Sequence, residues 1–149
     1  MSLDGNIKAL AKLPLFAGFE PEALRLIAFA AQPIKYAAGD VAFRCGEASE
    51  GGYLVLSGRV RLEPEHGGED AKIVGPGVLI GERALLTSTR NPATATAQEN
   101  TNALKISRHL LRRVLEEFPA SAASMQMAVS RELQRFGVEI EKSRHRFRS

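Results

Sequence analysis

The apolar residues of this chain change their spacing twice along its length, and those two changes constrain the fold more than any other feature. Residues 3 to 34 repeat at helical spacing. Ile7, Leu10 and Ala11 share one face, Pro14 breaks the pattern, and Leu24, Ile27, Ala28 and Ala31 resume it after Glu20-Pro21-Glu22. A proline in the first turn with acids beside it fits a helix start. From about Tyr36 to Ile106 the spacing falls to two, in short runs broken by glycines: Val41-Phe43, Tyr53-Leu56, Val60-Leu62, Ile73-Val74, Val78-Ile80, Ala93-Ala97 and Ala103-Ile106. Many short strands with turn signals between them predict a sandwich or jelly-roll barrel. From Ser107 the helical spacing returns. Ser107 can cap a helix whose face is Leu110, Leu111, Val114, Leu115 and Phe118, and Pro119 starts another, with Met125, Val129, Leu133, Phe136 and Ile140 in one stripe and a basic end at Lys142 to Ser149.

The expectation is a mainly β fold with flanking helices: a double-stranded β-helix, or jelly-roll barrel, over 36–106, N-terminal helices over 3–34 and two C-terminal helices over 107–146. With 149 residues and 44% hydrophobic content, the chain suffices for one domain with a real core. It contains no internal repeat and no low-complexity segment. The formal charge of +3 comes from 20 basic and 17 acidic residues that are largely interspersed, which is weaker than the footprint of a nucleic-acid binder. One cysteine, Cys45, permits no internal disulfide. The start MSLDGNIKAL lacks the layout of a signal peptide, and no apolar stretch approaches the roughly 18 residues that span a bilayer. A cytoplasmic protein without membrane contact is expected.

Catalytic chemistry finds little support in the residues. His66, His109 and His145 are scattered, with no strand-borne cluster at metal-ligand spacing, so no metal is expected. There is no Ser/His/Asp or Cys/His signature, and Cys45 before Gly46 reads as a small apolar filler. No catalytic residue is assigned, and the chain is not expected to be an enzyme. Glycines 39, 46, 58, 75 and 77 fall between strand runs, where turns often need positive φ. Gly81 differs, because it stands between Val78-Ile80 and the short helical pattern Glu82-Arg83-Ala84-Leu85-Leu86. There a missing side chain lets a ligand approach the backbone, and the N–H groups of a helix start suit an anion. The bland alternative for Glu82 is an acid favoured by the helix dipole.

The stretch YAAGDVAFRCGEASEGGYLVLSGRVRL followed by GPGVLIGERALL resembles the cyclic nucleotide-binding domain family of kinase regulatory subunits, nucleotide-gated channels and catabolite activator regulators. The resemblance runs through Gly39-Asp40, Gly46, Gly58 and Gly81-Glu82 and covers nearly the whole chain. It implies a phosphate-binding cassette at about 77–95, in which Glu82 accepts from the ribose 2′-hydroxyl and backbone amides near Ala84 meet the cyclic phosphate. The nucleotide, cAMP or cGMP, would be a ligand, with no cofactor besides.

The family's arginine is displaced here. Counting back from Ala93-Thr94-Ala95 makes Pro92 the small residue and puts Asn91 where the family carries arginine, while Arg90 stands one place early. Either the loop shortens to bring Arg90 in or one charged contact is lost, at about 1.5–3 kcal/mol. We expect Arg90 to supply the charge, since a guanidinium offers two parallel donors. Pro92 has neither hydroxyl nor N–H for a guanine amino group, which tilts the reading toward cAMP. The expected binding residues are thus Gly81, Glu82, Arg83, Ala84, Arg90, Asn91, Pro92 and Ala93. The expected function is a cyclic nucleotide sensor that regulates an unidentified downstream protein, with no catalytic or DNA-binding domain of its own and with a possible homodimer through the 119–146 helix. The alternative is a degenerate member of the fold serving as an interaction scaffold.

Overall fold

A computed structural model describes residues 2–65 and 70–131. His66, Leu133, Phe136, Ile140, His145 and the basic C-terminal end, all singled out above, lie outside the described residues. The chain opens with α1 (Leu3–Ala11), a 3-10 turn (Pro14–Phe16) and α2 (Pro21–Ala30). The strands β1 (Gln32–Tyr36), β2 (Val41–Phe43), β3 (Ala48–Ser49), β4 (Gly51–Ser57), β5 (Val60–Pro64), β6 (Lys72–Val74) and β7 (Leu79–Ile80) follow. Next come α3 (Glu82–Leu86), β8 (Thr89–Arg90), β9 (Ala93–Ala97), β10 (Thr101–Ser107) and α4 (Arg108–Glu117). Residues 119–131 are helical and form the described part of α5.

The strands make two antiparallel four-stranded sheets, ordered β1-β10-β4-β7 and β2-β9-β5-β6, and a ribbon of β3 with β8. The fold is mainly β with flanking helices, as the spacing predicts, but the sheets are open and do not close into a barrel. The reason for a roll shows on β4, where successive side chains face opposite sides. Leu54 enters one core with Leu104, Ile106 and the helical residues Leu10, Phe16, Ile27, Leu111 and Val114, while Val55 enters a second with Val60, Ile80 and Ala95. Both faces of β4 are therefore apolar, which is why YLVL reads as a continuous apolar run rather than an alternating one. Leu54, Leu104 and Ile106 are wholly buried, each contributing about 1.5–3 kcal/mol relative to exposure.

Helix boundaries follow from local chemistry. The Ser2 hydroxyl accepts from Gly5 N–H at 3.0 Å and the Ser107 hydroxyl from Leu110 N–H at 3.0 Å, each satisfying a donor at a helix start. Pro21 occupies the first turn of α2, as expected. Gly58 turns β4 into β5 with φ +90, and a Cβ there would collide with Thr101 and the Asn100 carbonyl, so only glycine fits. Gly75, expected at a positive φ with the other turn glycines, does not adopt one. The N-terminal helical segment, predicted to run to residue 34, ends at Ala30, and β1 begins at Gln32. Among the described residues β1 is an edge strand bonded to β10 alone, so the missing N–H of Pro33 is tolerated there. Ala11, expected on the apolar face of α1, is exposed.

The helix predicted from Pro119 is present, and Met125 is buried while Val129 packs against the same core. It is anchored by Ser121, fully buried, whose hydroxyl accepts from Glu20 N–H at 2.9 Å. Among the described residues no helix is long and apolar enough to cross a membrane.

Candidate functional site

Gly81 adopts φ 79 and ψ 33, the left-handed region, and caps α3. A Cβ there would stand 3.1 Å from the carbonyl oxygen of Gly51, and a Cβ on Gly51 would in turn collide with the Ile106 carbonyl. Three backbones are thus stacked edge to edge, and small residues at 51 and 81 are what let α3 sit down on the sheet. Ala84 and Leu85 face inward, 1% and 3% exposed, which fixes the single turn of α3 against β4. Glu82, directly after the cap, is half-buried, and Arg83 is exposed. The Ala84 N–H, assigned above to a phosphate, donates to Gly81 O at 3.0 Å inside the turn.

The segment after α3 carries a short strand. Thr89–Arg90 pairs with Ala48–Ser49, setting Arg90 opposite Ala48. Asn91 is buried, 8% exposed. Its N–H donates to Glu47 O at 2.8 Å, its carbonyl accepts from Gly46 N–H at 2.8 Å, and its side-chain amide donates to Arg44 O at 3.3 Å. Arg90 reaches the same turn differently: it is exposed, and its Nη1 donates to Gly46 O at 2.8 Å. Pro92 is exposed, and Ala93 opens β9 opposite Pro64. Thr94 accepts from Cys45 N–H at 2.9 Å, so the 44–47 turn is laced to the 90–94 segment along its length. Cys45 itself is a free, half-exposed thiol.

Two structural participants were not singled out in the sequence. Gly51-Gly52 lies within a strand, where glycine signals a close backbone approach. Arg108 sits behind α3, its Nη1 donating to Ala84 O at 3.0 Å, Thr87 O at 3.1 Å and Ser49 O at 3.2 Å. Its signal was a cation directly after the Ser107 cap, a place the helix dipole disfavours. Among the described residues no group of His, Cys, Asp or Glu could hold a metal ion. His109 lies exposed on α4. Burial, with Tyr53 nearby, pushes the Tyr36 hydroxyl up to about 12, so it adds no charge to the roll near neutral pH.

Comparison with known proteins accounts for this arrangement. Residues 33–118 match the family model described as cyclic nucleotide-binding domain. The chain is 33% identical over 131 residues to the cyclic AMP receptor protein of Thermus thermophilus, covering 86% of this chain and 61% of that relative's length. Among solved structures it resembles a cyclic nucleotide-binding-like protein from Brucella abortus, 38% identical with a TM-score of 0.68, over 74% of this chain and 97% of that one. The regulatory domain of Toxoplasma gondii PKA, solved with cAMP, is 27% identical with a TM-score of 0.69, over 75% of this chain and 44% of that one. With the family model spanning β1 through the end of α4, and the glycine-capped α3 inside that span, the chain belongs to the cyclic nucleotide-binding domain family.

Proposed function

We propose that this chain is a regulatory module of one domain that binds cyclic AMP in preference to cyclic GMP and passes the bound state to a partner protein without catalysing a reaction itself. The observation that carries the reading is the half-buried carboxylate of Glu82 directly behind a left-handed Gly81, at the head of a single helical turn fixed to the sheet. A carboxylate there can accept from both a ribose hydroxyl and backbone donors but cannot donate. Gly81, Glu82, Arg83 and Ala84 form one side of the proposed site, and Arg90, Asn91, Pro92 and Ala93 the other. Within the second group the roles differ. The Arg90 guanidinium leaves one exposed carbonyl when it turns to a phosphate oxygen, a cost of about 1 kcal/mol, whereas Asn91, itself buried, would abandon its part-buried bond to Arg44 O. Arg90 is therefore the charged partner, and Asn91 holds the loop.

The preference for cyclic AMP is supported by Pro92, which lacks hydroxyl and N–H, and by relatives whose names carry cyclic AMP. A second reading rests on Asn91: if the turn holds Arg90 as firmly as it holds Asn91, the pocket lacks a phosphate cation and the roll serves as an interaction scaffold. Calorimetric titration with cyclic AMP and cyclic GMP separates the two. Micromolar or tighter cyclic AMP binding, weaker for cyclic GMP, is expected; no heat with either nucleotide would leave the scaffold.

A further inference from the structure

Arg108 is the first residue of α4, and that helix has no acidic residue in its first turn. A cation at a helix start is opposed by the positive end of the dipole, so its position calls for favourable contacts elsewhere. Those contacts are at the far end of α3. Nη1 donates to Ala84 O and Thr87 O, carbonyls at the C-terminal end of the short helix, where intrahelical partners run out and the dipole is negative. The same nitrogen reaches Ser49 O at the end of β3, and the Arg108 N–H donates to Glu50 O at 2.7 Å. One residue thus binds the rear of α3, the strand end beside it and the head of α4.

We propose that Arg108 is the positioning residue through which nucleotide held at α3 is registered by α4. The proposal rests on the nucleotide reading given above. α3 is one rigid turn, with Ala84 and Leu85 packed inward. A ligand drawn to its glycine-capped end tilts or shifts the whole turn, so Ala84 O and Thr87 O move with it. The guanidinium follows those carbonyls because a planar fork shared among several acceptors tolerates less displacement than a flexible ammonium. Arg108 is itself backbone of α4, so its shift is passed to the buried residues Leu111 and Val114, which set where that helix rests on the core. Such a relay needs only that the two ligation states differ in these contacts.

The test uses the full 15N-labelled chain, with calorimetry and amide spectra recorded during titration with cyclic AMP. In the unaltered protein the resonances of α3 and α4 are expected to shift together. Arg108→Met removes every side-chain donor while keeping an unbranched stem and the backbone bond to Glu50 O. It is expected to weaken binding about ten-fold and to abolish the α4 shifts while those of α3 persist. Should R108M not fold, R108Q, which keeps an uncharged amide, carries the same expectation. Affinity within about two-fold of the unaltered chain, together with intact α4 shifts, would overturn the relay while leaving the nucleotide reading standing. If the unaltered chain binds neither cyclic AMP nor cyclic GMP, the nucleotide reading falls and the relay with it.

Discussion

On the proposed reading, Glu82 and the Arg90-Asn91 pair divide recognition and scaffolding between neighbouring residues. The Glu82 carboxylate meets the ribose on that reading, so Glu82→Gln, which keeps the side chain's shape and its acceptor oxygen but loses the charge, is expected to weaken cyclic AMP binding about ten-fold with a melting temperature within a degree or two of the parent. Calorimetry beside a thermal melt reads both; a collapse of the melt with affinity intact would make Glu82 a structural residue. The pair predicts a split in the opposite sense. Arg90→Ala removes an exposed side chain that donates to the surface carbonyl of Gly46, and should cost affinity but little stability. Asn91→Ala leaves Arg44 O without its side-chain donor while the backbone bonds to the turn remain, with a stability loss of about 1–2 kcal/mol and a smaller effect on nucleotide. Reversal of that order would put Asn91, not Arg90, at the phosphate. The motif was readable through the family resemblance, to which a glycine before a short helix contributes a conformational reason. What was not legible is the tying of Asn91 to the 44–47 turn, since that turn lies more than forty residues away along the chain.

At the level of elements, what could be read was what lies in a periodic run. β4, β9 and β10 were found because their apolar residues are numerous and regularly spaced. β3 and β8 are two residues each, too short to have a period, and exist because their backbones meet. β1 was hidden by Pro33 and by the polar faces of Gln32 and Lys35, which an edge strand permits. The stripe predicted on α5 has two described members, both on the core side, and among the described residues Ser121 adds a polar anchor beside them. Ser121 is fully buried, and its hydroxyl satisfies the Glu20 N–H just before α2. Ser121→Ala should cost about 1–2 kcal/mol, since it leaves that donor without its partner. Amide exchange is expected to quicken in 119–131 and around Glu20 while β4 and β10 stay protected; uniform quickening throughout would show that α5 is not an independent unit.

For the molecule as a whole, the oligomeric state is the property most open to measurement. Met127 is 61% exposed on α5, and Leu86 on α3 and Phe29 on α2 are exposed too. We expect α5 to pair with its equivalent across a twofold axis, its apolar side shared between the core and the second copy. Light scattering at high micromolar concentration should then return twice the chain mass of 16.2 kDa, and a value of one chain mass would confine the stripe to the core. The order β1-β10-β4-β7 has a separate consequence for how the protein is made. β10, one of the two inner strands of the first sheet, is the last strand of that sheet to leave the ribosome, and its partners on either side, residues 32–36 and 51–57, wait for it through much of synthesis. Pairings of such long sequence separation form slowly, and until they form the apolar faces of β4 are open to solvent. Biogenesis is therefore this domain's most aggregation-prone period, and a chaperone that shelters the nascent β4 would act before there is any pocket to fill.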